Sequence, residues 1–187
     1  MDDFFLRIEA LGERICILGP SNSGKSTLAD AIGRVRQLPV IHLDQFHHLP
    51  GTAWQPRPND EFRQLHDQAI ASERWVIDGN YSACFPERLA RSTGLVLLDV
   101  STLTSLGRYL RRARGDRARI GGLHGASDNV TLSMLHHIAI VSPRNRKRYR
   151  VLFDSADVPK VFLGSVNAIA RVYADWQLVL HDAPRAG

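Results

Sequence analysis

The stretch GPSNSGKST, residues 19–27, holds two glycines five positions apart, a lysine and two trailing hydroxyl residues, and it contains no apolar side chain. Such a run adds nothing to a hydrophobic core, so its value must lie in its backbone and its polar groups. Its flanks are different. RICILG at 14–19 is a short apolar run closed by glycine, the pattern of a strand buried on both faces. Leu28, Ala31, Ile32 and Val35 then recur at spacings of three and four, one apolar helical stripe. Between a buried strand and an amphipathic helix, G-x-x-x-x-G-K-[ST] is a phosphate-cradling pattern. Gly19 and Gly24 allow the tight bend that turns successive N–H groups onto one anion, and the helix start adds its positive dipole end. We assign Gly19, Pro20, Ser21, Asn22, Ser23, Gly24, Lys25, Ser26 and Thr27 to the triphosphate of ATP. Lys25 spans the β- and γ-phosphates, Ser26 is the Mg²⁺ ligand and Thr27 reaches the α-phosphate. The plain alternative, a glycine-rich turn with a surface lysine, does not explain the strand before and the helix after.

Working outward, LPVIHLD reads as a second strand ending at Asp44, WVIDG as a third, GLVLLDV as a fourth and PKVFLG as a fifth. Asn59 is placed as the N-cap of a helix with Asp60 and Glu61 in its first turn and Phe62, Leu65 and Ala69 facing inward. Ser101 caps a helix that packs Leu103, Leu106 and Leu110. Ser165 caps the last one, which buries Val166, Ile169, Tyr173 and Trp176. Strands alternating with helices predict an α/β fold of three layers, α/β/α, around a five-stranded parallel sheet with right-handed crossovers. At 187 residues the chain fits a single domain, 1–187.

Composition sets the outer limits. With 44% hydrophobic and 23% charged residues the chain reads as a globular protein, and no run nears the length of a membrane span. The start MDDFFLRIEALGER is acidic and broken by charge, and Cys16 and Cys84 match no metal or disulfide framework, which together point to the cytoplasm. Residues 108–150 carry eleven of the 24 basic side chains against Asp116 and Asp128, a segment of net +9 in a chain of net +5. Charge this concentrated seeks an anionic partner, and polyphosphate and nucleic acid both qualify.

A bound magnesium needs a carboxylate at the end of a neighbouring buried strand, and Asp78 and Asp99 both end one. The order of phosphate loop, HLD, VIDGNY and LLDVS followed by an arginine-rich helix resembles the adenylate kinase-like P-loop kinases. Within them it resembles most the bacterial branch known as DNA topology modulation proteins, on the motifs IHLD, ERWVIDGNY and a later PR-x-R, across residues 14–176. The resemblance implies a P-loop NTPase fold, ATP and Mg²⁺ as cofactors, and transfer of the γ-phosphate to a nucleotide, nucleoside or other small acceptor. It makes Asp78 the magnesium-side carboxylate and Asp99 a structural residue. It puts Asp44 on the acceptor side, about 45–74, where a carboxylate accepts a proton from a hydroxyl nucleophile. By the residues alone Asp44 reads equally as a cap for backbone N–H groups.

The same resemblance implies a lid at about 115–142. Gly115, Gly121, Gly122 and Gly125 provide hinges there, and Arg112 and Arg117 are the favoured phosphate contacts. An arginine in that role contributes on the order of 10³ to 10⁵ in rate. Ser142 and Pro143 read as N-cap and first residue of a further helix, which sets Arg144 and Arg146 at its start, where an anion also meets the dipole. The adjacent pairs His47–His48 and His136–His137 show no metal-ligand spacing and are given no role. His42 reads as a hydrogen-bonded core or cleft residue, Asn80 as a substrate-orienting or turn residue, and Trp54 as a stacking surface or a helix cover. DGNYSACFPERL has Asn80 and Tyr81 where adenylate kinases run DGFPR, which argues against adenylate as the acceptor. An ATPase or regulatory nucleotide switch, with nucleic acid as a further partner of the basic segment, is the alternative reading.

Overall fold

Five short runs rich in Ile, Val and Leu pair in parallel into one sheet of order β2-β3-β1-β4-β5. They are β1 (Arg14–Leu18), β2 (Val40–His42), β3 (Trp75–Asp78), β4 (Gly94–Leu98) and β5 (Lys160–Leu163). The computed structural model describes residues 6–52, 54–113, 120–121 and 131–180. Because side chains alternate along a strand, each sheet face carries its own apolar set. Ile15, Ile17, Val76, Val96, Leu98, Val161 and Leu163 share one core with α1 (Lys25–Arg36) and α8 (Val166–Asp175). Cys16, Leu18, Trp75, Ile77, Leu95 and Leu97 face the other core, with α3 (Asn59–Ala71), α4 (Phe85–Arg91) and α7 (Ser142–Ser155). The result is the expected three-layer α/β/α architecture.

Parallel pairing brings every strand's carboxyl end to one edge, where ligands of open α/β sheets bind. The phosphate loop follows β1 there, and α2 (Leu43–His47) follows β2. β1 is central, flanked by β3 with Ile17 opposite Asp78 and by β4 with Leu18 opposite Leu97.

Several local expectations are corrected. The second strand stops at His42, so Asp44 stands in the first turn of α2 and not at a strand end. Pro58, not Asn59, occupies the N-cap of α3, and the residue buried between Phe62 and Ile70 is His66, with no exposed surface. In α5 (Thr102–Ala113) Leu103 is 81% exposed, and Ser105 and Tyr109 are the buried residues instead. In α8 Ile169, Tyr173 and Trp176 pack on the core as expected, but the buried residues within the helix are Ala168 and Val172, and Val166 is exposed. Ser142 is the first residue of α7 but not an N-cap, because the chain before it is already helical. α6 (Leu132–His136), a π-helical turn His137–Val141 and α7 run on without a break, and Val141 before Ser142 is itself helical. Arg144 and Arg146 therefore lie inside a continuous helix, away from any dipole end.

Two caps stand as read: Ser101 Oγ accepts from Thr104 N at 3.1 Å, and Ser165 Oγ accepts from Ala168 N at 3.0 Å. Ser165→Ala is expected to lower the unfolding free energy by about 1 kcal/mol in urea denaturation, with an unchanged m-value.

Candidate active site

The loop after β1 is shaped by residues that only a small or flexible backbone permits. Gly19 has φ +145°, and a Cβ there would collide with the carbonyl oxygen of Leu98 on β4. Gly24, at φ +101°, is the left-handed residue from which α1 starts. Asn80, just past β3, grips the loop's first residue from both sides: its Nδ2 donates to Gly19 O at 2.8 Å and its Oδ1 accepts from Gly19 N at 3.2 Å. Neither an acceptor-orienting nor a turn role accounts for this pair of bonds. Lys25 folds back over the loop and donates to Pro20 O at 2.9 Å.

Behind the loop, Ser26 Oγ donates to Asp78 Oδ2 at 2.7 Å, while His42 Nδ1 bonds the other carboxylate oxygen. Asp78 is only 5% exposed, so these two partners carry most of its charge compensation. A hydroxyl and a carboxylate side by side suit magnesium, a hard cation that takes few protein ligands and keeps water and phosphate oxygens for the rest. Among the described residues no group of three or more His, Cys, Asp or Glu side chains could hold a metal.

Across the edge, Tyr81 donates its hydroxyl to Asp44 Oδ1 at 2.7 Å. Tyr81 belongs to a ring cluster with His47 (centroids 4.7 Å) and Phe62 (5.0 Å), and His47 also meets Phe62 at 5.1 Å. His48 extends it to Trp54 at 5.2 Å. One carboxylate thus stands behind the loop and a second beside the ring cluster.

The arginines divide. Arg146 is tied to Asp99, through Nε to the carboxylate and Nη2 to the main-chain oxygen at 2.8 Å. Arg144 is exposed. The backbone of Arg112 lies in α5, its side chain is outside the described residues, and so are Arg117 and the stretches 115–119 and 122–130 of the 115–142 segment. Sequence reasoning passed over two residues. Arg108, on α5, donates through Nη1 to Ser23 O and so touches the loop directly; only its place in the basic segment marked it. His137 lies in the π-helical turn, where burial and then the Lys25 ammonium push its imidazole below the ordinary value, against the pull of Asp44. No sequence signal marks a π-turn, which concentrates at functional sites.

Solved structures share the overall fold. Shikimate kinase from Bacteroides thetaiotaomicron matches with a TM-score of 0.52 at 20% identity, covering 89% of this chain and 99% of that one. The likeness is one of fold: a parallel five-stranded sheet between helical layers is shared with that enzyme. Shikimate kinase from Aquifex aeolicus matches at 0.48 and 18% identity (88% and 96% covered), and deoxyadenosine kinase from M. mycoides at 0.45 and 15% (87% and 95%). No protein-family model matches the chain, and no curated protein sequence does. Among the described residues no helix is long and apolar enough to cross a membrane.

Burial is the first cause that lowers His47, His66 and His137 from 6.5. The unfolded chain regains the ordinary value, so below about pH 6.5 it binds protons that the folded chain refuses. Stability is then lost as pH falls through 6.5, levels off below the folded values, and is unaffected by these groups above 7. Denaturation midpoints at pH 7.5 and 5.5 should show this fall, and His137→Gln should lessen it; a flat profile over that window contradicts the assignment.

Proposed function

We propose that the chain is an ATP-dependent phosphotransferase that passes the γ-phosphate of ATP to a hydroxyl of a small molecule. The observation that carries this reading is the pairing of Ser26 with Asp78 behind the phosphate loop, opposite the Tyr81–Asp44 pair on the acceptor side. The loop 19–27 holds the triphosphate with its amides, and Lys25 leaves Pro20 O to meet the β- and γ-oxygens. Ser26 and Asp78 are the residues that would hold Mg²⁺, which when bound neutralises charge on the transferring group. His42 keeps Asp78 turned toward Ser26. Asp44, oriented by the Tyr81 hydroxyl, takes the proton of the attacking hydroxyl. His47, Phe62 and Tyr81 form an apolar wall for the acceptor, with Trp54 at its margin beside His48.

Arg108 steadies the loop from α5, and Arg112, from the end of that helix, and Arg117, from the lid at 115–142, supply charge to the phosphoryl group. Arg144 remains a phosphate candidate; Arg146 reaches ATP only by leaving Asp99. The chain works as one domain in the cytoplasm, with residues 45–74 forming the acceptor region. The solved structures support the reading through the fold alone.

A screen of nucleotides, nucleosides and small alcohols for saturable ATP turnover tests it. Lys25→Ala is expected to lower kcat/KM by about 10² or more. Asp44→Asn should cost about 10² to 10⁴ in kcat while leaving ATP binding intact. Turnover that no acceptor raises above hydrolysis would leave an ATPase instead.

The likeness to DNA topology modulation proteins rests on sequence motifs. If the basic segment does bind DNA, log affinity falls linearly with log salt. Absence of binding at low salt in a filter or anisotropy assay removes that partner.

A further inference from the structure

Arg88 on α4 has no exposed surface, and none of its Nε, Nη1 and Nη2 atoms has a hydrogen-bond partner. A guanidinium is always charged and offers five N–H donors. Its surroundings are the Phe85 ring, whose centroid is 5.1 Å from Cζ, and the weakly accepting thiol of Cys16 on β1. A cation taken out of water without an acceptor is among the costliest arrangements in a protein, and native structures complete it with a carboxylate, a metal-bound group or a ligand anion. Asp67 and Glu87 are close enough to act on His66 but are both exposed, and neither bonds Arg88.

A second polar atom in the same place is also unmatched. His66 has no exposed surface; its Nδ1 pairs with Asp67 at 2.9 Å, and its Nε2 has no partner and feels the Arg88 charge. Trp75, on the same sheet face as Cys16, buries an indole N–H without an acceptor. This group adjoins the acceptor wall. Phe62, one turn before His66 on α3, lies 6.4 Å from the His66 ring and 5.0 Å from Tyr81, whose hydroxyl holds Asp44.

We propose that Arg88 is the anchor for an oxyanion, and that the acceptor is an alcohol bearing a carboxylate or phosphate group that reaches Arg88 past Phe62 and His66 while its hydroxyl lies at Asp44. The identity of the acceptor rests on the phosphotransferase reading; the anion site does not. Arg88 binds and positions the acceptor and takes no part in the proton or phosphoryl transfer.

The first experiment leaves turnover aside. The phosphate loop is saturated with a non-hydrolysable ATP analogue and Mg²⁺, inorganic phosphate is added, and Tm is followed. Wild type should rise with phosphate concentration. Arg88→Met should not respond, and without phosphate it should be at least as stable as wild type, since methionine leaves no buried charge. If that variant does not fold, Arg88→Lys replaces it, and a weakened response is expected because a point charge lacks the planar fork. A wild type indifferent to phosphate, or a variant that responds as wild type does, overturns the anion site. The second experiment compares hydroxy acids and phosphorylated alcohols with their neutral amide or ester isosteres. Anionic acceptors should exceed neutral ones at least tenfold in kcat/KM, and Arg88→Met should raise KM for them with kcat nearly kept. A preference for neutral alcohols overturns the acceptor class. Should no alcohol raise turnover, the phosphotransferase reading falls, and the Tm experiment alone decides Arg88.

Discussion

The carboxylate of Asp78 is the constraint on which the site depends. A charge this deeply buried is tolerable only when hydrogen bonds replace its lost water, and here Ser26 satisfies one oxygen and His42 the other. Those partners come from α1 and β2, so one side chain ties the end of β3 to both at the sheet edge. The parallel register that sets Ile17 beside Asp78 and Val76 beside Val40 makes this possible. Asn80, two residues later, adds the pincer on Gly19. The start of the phosphate loop is thereby tied to the chain just past β3 as well as to its own strand.

The abundance of arginine takes on meaning only in three dimensions. Arg146 serves Asp99 at the end of β4, and Arg150 pairs with Asp154 while its guanidinium stacks over Phe162 at 4.1 Å. Arg108 closes on the phosphate loop from α5, and Arg88 lies beneath the acceptor wall. A positive segment that reads in sequence as one electrostatic patch is thus partly divided into separate structural tasks. What it leaves for an anionic partner is smaller than its net charge suggests.

The fold and the phosphate side were legible because they rest on short-range patterns. Buried parallel strands are continuous apolar runs, and the loop between β1 and α1 is a contiguous motif whose spacing carries its chemistry. The acceptor side was less legible, since Asp44, Tyr81, Phe62 and His47 come together only when α2 and α3 pack against β3. Helix faces were misread where a polar residue takes the core position, as His66 does in α3 and Ser105 in α5; hydrophobic periodicity gives such positions no weight. The proline rule placed a helix start at Ser142, but proline also tolerates the first residues after a π-turn, where the hydrogen-bond ladder is already disturbed. In sequence Arg88 was one of four arginines, with Arg57, Arg63 and Arg91, that could grip an acceptor's anion, and nothing in FPERL separates a buried arginine from a solvated one.

The π-turn between α6 and α7 has a geometrical consequence. Each residue of an α-helix advances the side chain by about 100° around the axis, so one extra residue within the run offsets everything before it from everything after it by that angle. Tyr149 and Phe153, after the turn, point into the sheet, while His137, at its beginning, is felt by Lys25 and Asp44. A straight helix of the same residues would satisfy one of these alignments and swing the other toward solvent. The bulge acts as a phase adjuster, letting a single rod report to the hydrophobic layer at one end and to the surroundings of Lys25 and Asp44 at the other.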